Sequence, residues 1–322
     1  MKKVMITGGQ NQSWIQNCRS MLSERYELVD NRYRGSFWSW FKTVLIKGWN
    51  ADFFLCIFAN DRTAINIVIS KLYRKKLVAI VGGHAVENMP EINYGSTTKF
   101  KQWRVRWILK HADVVLPFSD YGKKNALNFY NKDRYTVVPL SIDTNKYKPK
   151  GNKKDVVVTV GMLRKSNIKR KGFDTFINVA KLLPDVEFYL VGKTIDDTID
   201  YVNDKKTSNL HVFSDISDGQ LLQLYQRAKV YCALSYQEGD ISGAIGEAIS
   251  CGCVPVISKK AEALVDGCKG MGYYVPYGNA EETAEAVKTA LKDKNNDDYH
   301  AFIKNNNSME VVKEKLFNVL EE

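Results

Sequence analysis

The sequence predicts an α/β protein made of two doubly wound parallel-sheet domains. Three observations carry that expectation. Short apolar runs alternate with helix-length segments, the pattern of parallel strands covered on both faces. The alternation runs from residue 3 to residue 140 and restarts at 155, after the polar, Pro- and Gly-bearing stretch DTNKYKPKGNKKD (143–155), which reads as a linker. The 322 residues also suit two domains at about 150 residues each. The expected division is 1–150 for a first domain, 151–305 for a second, and 306–322 for a C-terminal helix returning to the first.

KVMITGG (3–9) is a β-branched run ending in paired glycines, followed by a helix from Ser13 to about Glu24 and a strand at Tyr26–Val29. A polar-aromatic stretch (37–47) precedes the strand ADFFLCIF (51–58), a helix near 60–73 and the strand LVAIV (77–81). WRVRWILKHA (103–112) has helical spacing, DVVLPFS (113–119) is a strand, Asp120–Tyr130 a helix and TVVPL (136–140) a last strand. In the second half the expected strands are 155–163, 186–192, 210–214, 230–235, 254–258 and 272–276. Helices are expected near 172–183, 218–227, 243–251, 280–292, 296–304 and 308–321. Folds of this kind bind ligands at the carboxyl ends of their strands, in the cleft between domains.

Composition narrows the function classes. With 44% hydrophobic and 26% charged residues, disordered and fibrous readings are poor. No apolar run approaches the about 18 residues of a membrane span. MKKVMITGG lacks the apolar core and cleavage site of a secretory signal, so a cytoplasmic protein is expected. Six Cys without a CxxC pair and four scattered His argue against a zinc site or a disulfide framework. The charge is uneven: residues 1–150 carry 25 Lys and Arg against 11 Asp and Glu, while 151–322 carry 22 against 25. That asymmetry favours an anionic partner for the first half, such as a lipid headgroup, a phosphorylated acceptor or nucleic acid, with surface solubility as the plainer explanation.

The segment most suggestive of chemistry is SYQEGDISGAIGEAISCGCVPVI (235–257). A strand ends at Ser235, a polar loop holds Glu238, and a helix opens near Gly243. Backbone N–H groups at that helix start suit a phosphate. Glu247, one turn in, can bind a ribose diol or simply pair with the helix dipole.

This segment resembles the Glu-x7-Glu region of family 4 retaining glycosyltransferases. Four further passages agree with the family in order, at 112–149, 160–192, 209–235 and 261–287, so that the likeness covers about residues 78–290. The resemblance implies the GT-B fold, with an acceptor in the first domain and a UDP- or GDP-linked sugar in the second. It also implies retention of anomeric configuration with no metal and no cofactor beyond the donor. Lys171, in Arg170–Lys171–Gly172, matches the family's diphosphate lysine. Glu238 would contact donor-sugar hydroxyls and Glu247 the ribose. The rest of the donor site would comprise Gly161, Arg170, Asp240, Ser242, Gly243, Ala244 and Ile245. Gly8 and Gly9 would allow close approach of the diphosphate or sugar, and His84, in VGGH, would lie near the reacting sugar.

The chain departs from the family pattern at several points. Met162 stands where the family has Arg, leaving Arg164, the first choice, or Arg170 to supply the cation. The stretch from Gly161 to Lys171 is long, and the two Glu are separated by eight residues, so that Asp240 could share the role of Glu238. These departures keep open a catalytically impaired GT-B binding protein, and the basic first half keeps open a nucleic-acid acceptor. FWSWFKTVLIKGW (37–49) pairs Trp with Lys as an interfacial helix on anionic lipid does, or packs on its sheet through Phe41, Val44 and Leu45. KQWRVRW (101–107) sets Trp103 and Trp107 at i,i+4 beside Arg104 and Arg106. With the charge, these features favour a peripheral enzyme on the inner face of a membrane, using a glycan, lipid-linked or other anionic acceptor.

Overall fold

A computed structural model of the chain describes residues 1–8, 12–31, 36–131, 133–241, 243–294 and 296–321. It forms two compact units: Met1–Ser141 with Met309–Glu322, and Ile142–Ser308.

The first unit runs β1 (Lys2–Thr7), α1 (Ser13–Ser23), β2 (Tyr26–Asn31), α2 (Phe37–Gly48), β3 (Phe53–Ile57), α3 (Asp61–Leu72), β4 (Lys76–Val81) and α4 (Gly83–Val86). A two-residue hairpin pair, β5 (Asn88–Met89) and β6 (Tyr94–Gly95), leads to α5 (Lys99–His111), β7 (Val114–Pro117) and α6 (Asp120–Phe129). The strands pair in parallel in the order β2-β1-β3-β4-β7. Because side chains alternate across a strand, Val4, Ile6, Leu55 and Ile80 bury on one face with α1, while Met5, Phe54, Cys56 and Ala79 bury on the other with α2, α3 and α5.

The second unit runs β8 (Lys154–Val160), α7 (Lys165–Arg170), α8 (Phe173–Leu182), β9 (Glu187–Val191), α9 (Thr198–Lys205), β10 (Leu210–Phe213), α10 (Asp218–Arg227) and β11 (Ala228–Ala233). It continues through α11 (Gly243–Ser250), β12 (Val254–Ser258), α12 (Glu262–Cys268), β13 (Tyr273–Val275), α13 (Ala280–Ala290) and α14 (Asn296–Asn307). Its parallel order is β10-β9-β8-β11-β12-β13 around one continuous core. The last helix, α15 (Met309–Glu321), buries Val312, Leu316, Phe317 and Leu320 against the first unit's sheet, and contacts α1.

Three expectations change. Residues 136–140 form no ladder strand: Thr136 and Val138 amides donate to the Val115 and Pro117 carbonyls, but Pro117 and Pro139 lack amides and the ladder stops. The 143–155 stretch belongs to the second unit. There Asp143 Oδ1 accepts the Asn145 and Lys146 amides at 3.1 and 3.0 Å, and Tyr147 is buried. Four short helices (α4, α7, α9 and α12) carry too little apolar periodicity to be read from sequence. All six Cys are free and buried, and burial pushes the Cys18 thiol up to about 12 and Cys56 to about 11. No helix among the described residues is long and apolar enough to cross a membrane.

Candidate active site

The second unit's candidate groups gather at the carboxyl ends of β8, β9 and β11. The Gly161 amide donates to Val191 O at 2.9 Å, and a Cβ on Gly192 would lie 1.8 Å from Gly161 O, so the two strand ends meet backbone to backbone. Beyond Leu163 the chain turns into α7, with Arg164 as its N-cap and Lys171 as its C-cap. Gly172 follows in the left-handed region at φ 69°, and a Cβ there would lie 2.1 Å from Leu234 O. Only glycine fits on both counts. The Tyr236 amide donates to Arg170 O at 2.8 Å, completing a clamp between residues 170–172 and the loop after β11.

That clamp sets Lys171 against Glu238. The Lys171 ammonium pairs with Glu238 Oε1, and the Ser235 hydroxyl donates to the same oxygen at 2.7 Å. Both charged side chains are largely buried, at 18% and 11% exposure. Burial alone would push the Glu238 carboxyl up. The Lys171 and Arg170 charges, with hydrogen bonds from Lys171 and Ser235, outweigh it and hold the group below its ordinary value. Glu238 is therefore ionised at neutral pH.

Arg170 is held by a residue that the sequence reading passed over. Asn167 is fully buried, and its Oδ1 accepts from Arg170 Nε at 3.1 Å and Nη2 at 2.8 Å. Its Nδ2 donates to Met162 O at 2.8 Å, and its carbonyl accepts the Lys171 amide at 2.8 Å. Its three-residue spacing from Arg170 brings the two side chains together once the segment is helical, but nothing in KSNIKR marks a helix. Arg164, the first choice for the missing cation, lies at the other end of α7 with its Nε buried and without a hydrogen-bond partner among the described residues. It is Arg170 whose charge acts on Glu238, so the geometry favours Arg170 for that role. Met162 is 47% exposed.

The other second-unit residues lie nearby in the chain but in different surroundings. Gly243 and Ala244 are half-buried at the start of α11, Ile245 is buried, and Ser242 lies outside the described residues. Asp240 is buried against α12, where a Cβ on Gly267 would come within 2.9 Å of its Oδ1 and where its charge helps raise the Cys268 thiol. Glu247, on α11, is 7% exposed and hydrogen-bonded to Tyr147. Burial first, then Glu247, pushes the Tyr147 hydroxyl up.

In the first unit, Gly8 follows β1 at φ 94° and its carbonyl accepts from Arg19 Nη2 at 3.2 Å. Gly9 lies outside the described residues. His84, on the one-turn α4 after β4, is exposed and stands edge-on to Tyr94 at 4.8 Å. Both follow the carboxyl ends of their strands, the end at which such sheets bind ligands.

Two units of doubly wound parallel sheet are the architecture of the GT-B fold. Residues 154–293 match the family described as glycosyl transferases group 1, and this segment carries Gly161, Arg170, Lys171, Glu238 and Glu247. That match lies within the second unit. Among solved structures, the chain is similar to HepE of Anabaena, solved with UDP and glucose, at 15% identity and a TM-score of 0.78, with both chains covered in full. It is similar to a sucrose-phosphate synthase from Thermosynechococcus elongatus at 13% identity and a TM-score of 0.78, over 100% of this chain and 98% of that one. A glycosyltransferase from Rickettsia africae gives 14% identity and a TM-score of 0.76, over 99% and 97%. No curated protein matches the chain in sequence.

Proposed function

We propose that the chain is a retaining glycosyltransferase that moves a sugar from a UDP- or GDP-linked donor to a glycan, lipid-linked or other anionic acceptor, without a metal step. The carrying observation is the buried Lys171–Glu238 pair, flanked by Arg170, at the carboxyl ends of the second unit's strands. As the bond from sugar to diphosphate breaks, negative charge gathers on the leaving group. Cations already fixed in place stabilise that charge without reorganising. In this reading Lys171 and Arg170 receive the diphosphate, and Glu238 orients Lys171 and contacts sugar hydroxyls. Glu247 takes the ribose, and the α11 start takes a phosphate oxygen. The first unit would present the acceptor, with His84 beside the reacting sugar. UDP is supported as the donor's nucleotide by HepE, which was solved with UDP and with UDP-glucose.

The test is slow hydrolysis of a UDP- or GDP-sugar without acceptor, measured with and without EDTA. Hydrolysis is expected to be insensitive to the chelator and about 10²–10³-fold slower in Lys171→Ala. Unchanged hydrolysis in that variant would remove Lys171 from the mechanism.

A further inference from the structure

The positive charge of the first half has a structural focus away from the chemistry. A cavity of about 670 Å³ opens in the first unit, and Lys71, Arg74, Lys75, Lys76 and Arg134 line it. These cations come from two segments some 60 positions apart in the chain: the end of α3 with the start of β4, and the residues after α6. Val319 of α15 contributes to the wall. Lys76 is the first residue of β4, and Val114, the first of β7, also lines the cavity. The cavity therefore sits at the amino ends of these strands. His84 follows the carboxyl end of β4, about 20 Å along a six-residue strand.

The charges in this cavity are poorly compensated. Among the described residues, none of the five cations is in an ion pair. Two carboxylates share the lining, Asp113 and Asp133. Asp113 Oδ2 already accepts the Leu77 amide at 2.8 Å. Lys76 Nζ donates to Val319 O at 3.3 Å, which satisfies a hydrogen but cancels no charge. The dipole of α3 accounts for a cation in its last turn, where Lys71 lies, but not for Arg134 on another segment. Arg74 sits at φ 54°, a backbone conformation that glycine adopts freely and other residues seldom do. Five cations against two carboxylates leave the cavity with a net positive charge that an anion would neutralise.

We propose that this cavity is a binding site for a phosphate-bearing anion, separate from the donor site. Two sources share that chemistry: a soluble phosphate compound, and the headgroup of an anionic lipid. The second has a structural argument beside it. Leu72, 71% exposed, adjoins Lys71, and Trp49, 65% exposed, packs edge-on against Tyr73, the neighbour of Arg74. Exposed Leu and Trp beside Lys and Arg are the groups that enter a lipid interface.

The experiment uses the full chain and the variant Lys71→Ala/Arg74→Gly/Arg134→Ala. All three side chains are exposed, and Gly at 74 relieves the backbone, so the melting temperature should hold or rise. Inorganic pyrophosphate is titrated calorimetrically, and phosphatidylcholine vesicles with or without phosphatidylglycerol are co-sedimented with the protein, all without sugar nucleotide. Wild-type protein is expected to bind a phosphate probe, with at least about tenfold loss in the variant, since each charged hydrogen bond is worth about tenfold. Loss of phosphatidylglycerol-vesicle binding alone in the variant identifies the lipid source, and loss of pyrophosphate binding the soluble one. Failure to bind either probe, or equal binding by the variant, overturns the proposal. Pyrophosphate also suits the proposed donor site, which the variant leaves intact, so the cavity is read only from the difference between wild type and variant.

Discussion

The two units use the same parallel-sheet architecture but hold their charges differently. In the second, Lys171, Glu238, Ser235, Arg170 and Asn167 are joined by hydrogen bonds and mostly buried. In the first, His84 is exposed, and the five cations of the cavity face one another without ion pairs. A buried, cross-linked charge cluster is costly to assemble but already organised for one ligand charge. Exposed charges are solvated at little cost and gain specificity only from what docks on them. On the proposed reading, the second unit's fixed charges suit a donor site, and the first unit's solvated charges suit a docking surface.

The largest effect expected from this contrast is at Lys171. Lys171→Ala should lower donor hydrolysis by about 10²–10³, the usual loss on removing one transition-state stabiliser. It should also cost about 3 kcal/mol of stability, because Glu238 is left buried without its cation. Urea denaturation alongside the kinetics checks both, and a variant as stable as wild type would contradict the buried-pair account.

Gly172→Ala should destabilise by roughly 2 kcal/mol, as Ala must adopt a left-handed backbone and press on Leu234 O. A wild-type melting temperature in that variant would show that the clamp is looser than described.

Asn167→Ala frees the Arg170 guanidinium and leaves the Met162 carbonyl without its donor. About 1–2 kcal/mol of stability should be lost. Affinity for the donor nucleotide, read by titration, should fall about tenfold, whereas Arg164→Ala should change it less.

Acid sensitivity refines the same comparison. Glu238 has a lowered folded-state value, so its contribution is fully present above the unfolded value of 4.5 and is lost as pH falls through the folded value. Glu238→Gln should therefore be less stable than wild type at pH 7, with the gap closing as pH drops below 4.5. A gap that stays constant in denaturation midpoints would show that Glu238 does not titrate this way. The smallest structural effect is expected in the first unit, where His84→Asn should stay within about 0.5 kcal/mol of wild type because the side chain is exposed. Any lost turnover would then report on chemistry and not on folding.

Much of this was legible in the residues. Buried parallel strands such as DVVVTV and VPVIS announce themselves as apolar runs, and the passages around Lys171 and Glu238 carry the family likeness. What stayed hidden is instructive. KSNIKR has no apolar period, so α7 and its buried Asn167 were invisible. The stretch read as a linker holds Tyr147, whose ring buries next to Tyr225 and whose hydroxyl meets Glu247, contacts made only by tertiary packing. The cations at 71–76 and 134 converge only once β4 and β7 pair, so their charge showed in the sequence as a total without a location.

The most direct test is the melting temperature with and without UDP and GDP, for wild type and Lys171→Ala. A nucleotide at about 100 times its dissociation constant should stabilise the wild-type fold by about 2.7 kcal/mol. One of the two is expected to raise the wild-type transition by several degrees and to leave Lys171→Ala nearly unmoved. Equal shifts in both proteins, or none in wild type with either nucleotide, would contradict a diphosphate site at Lys171.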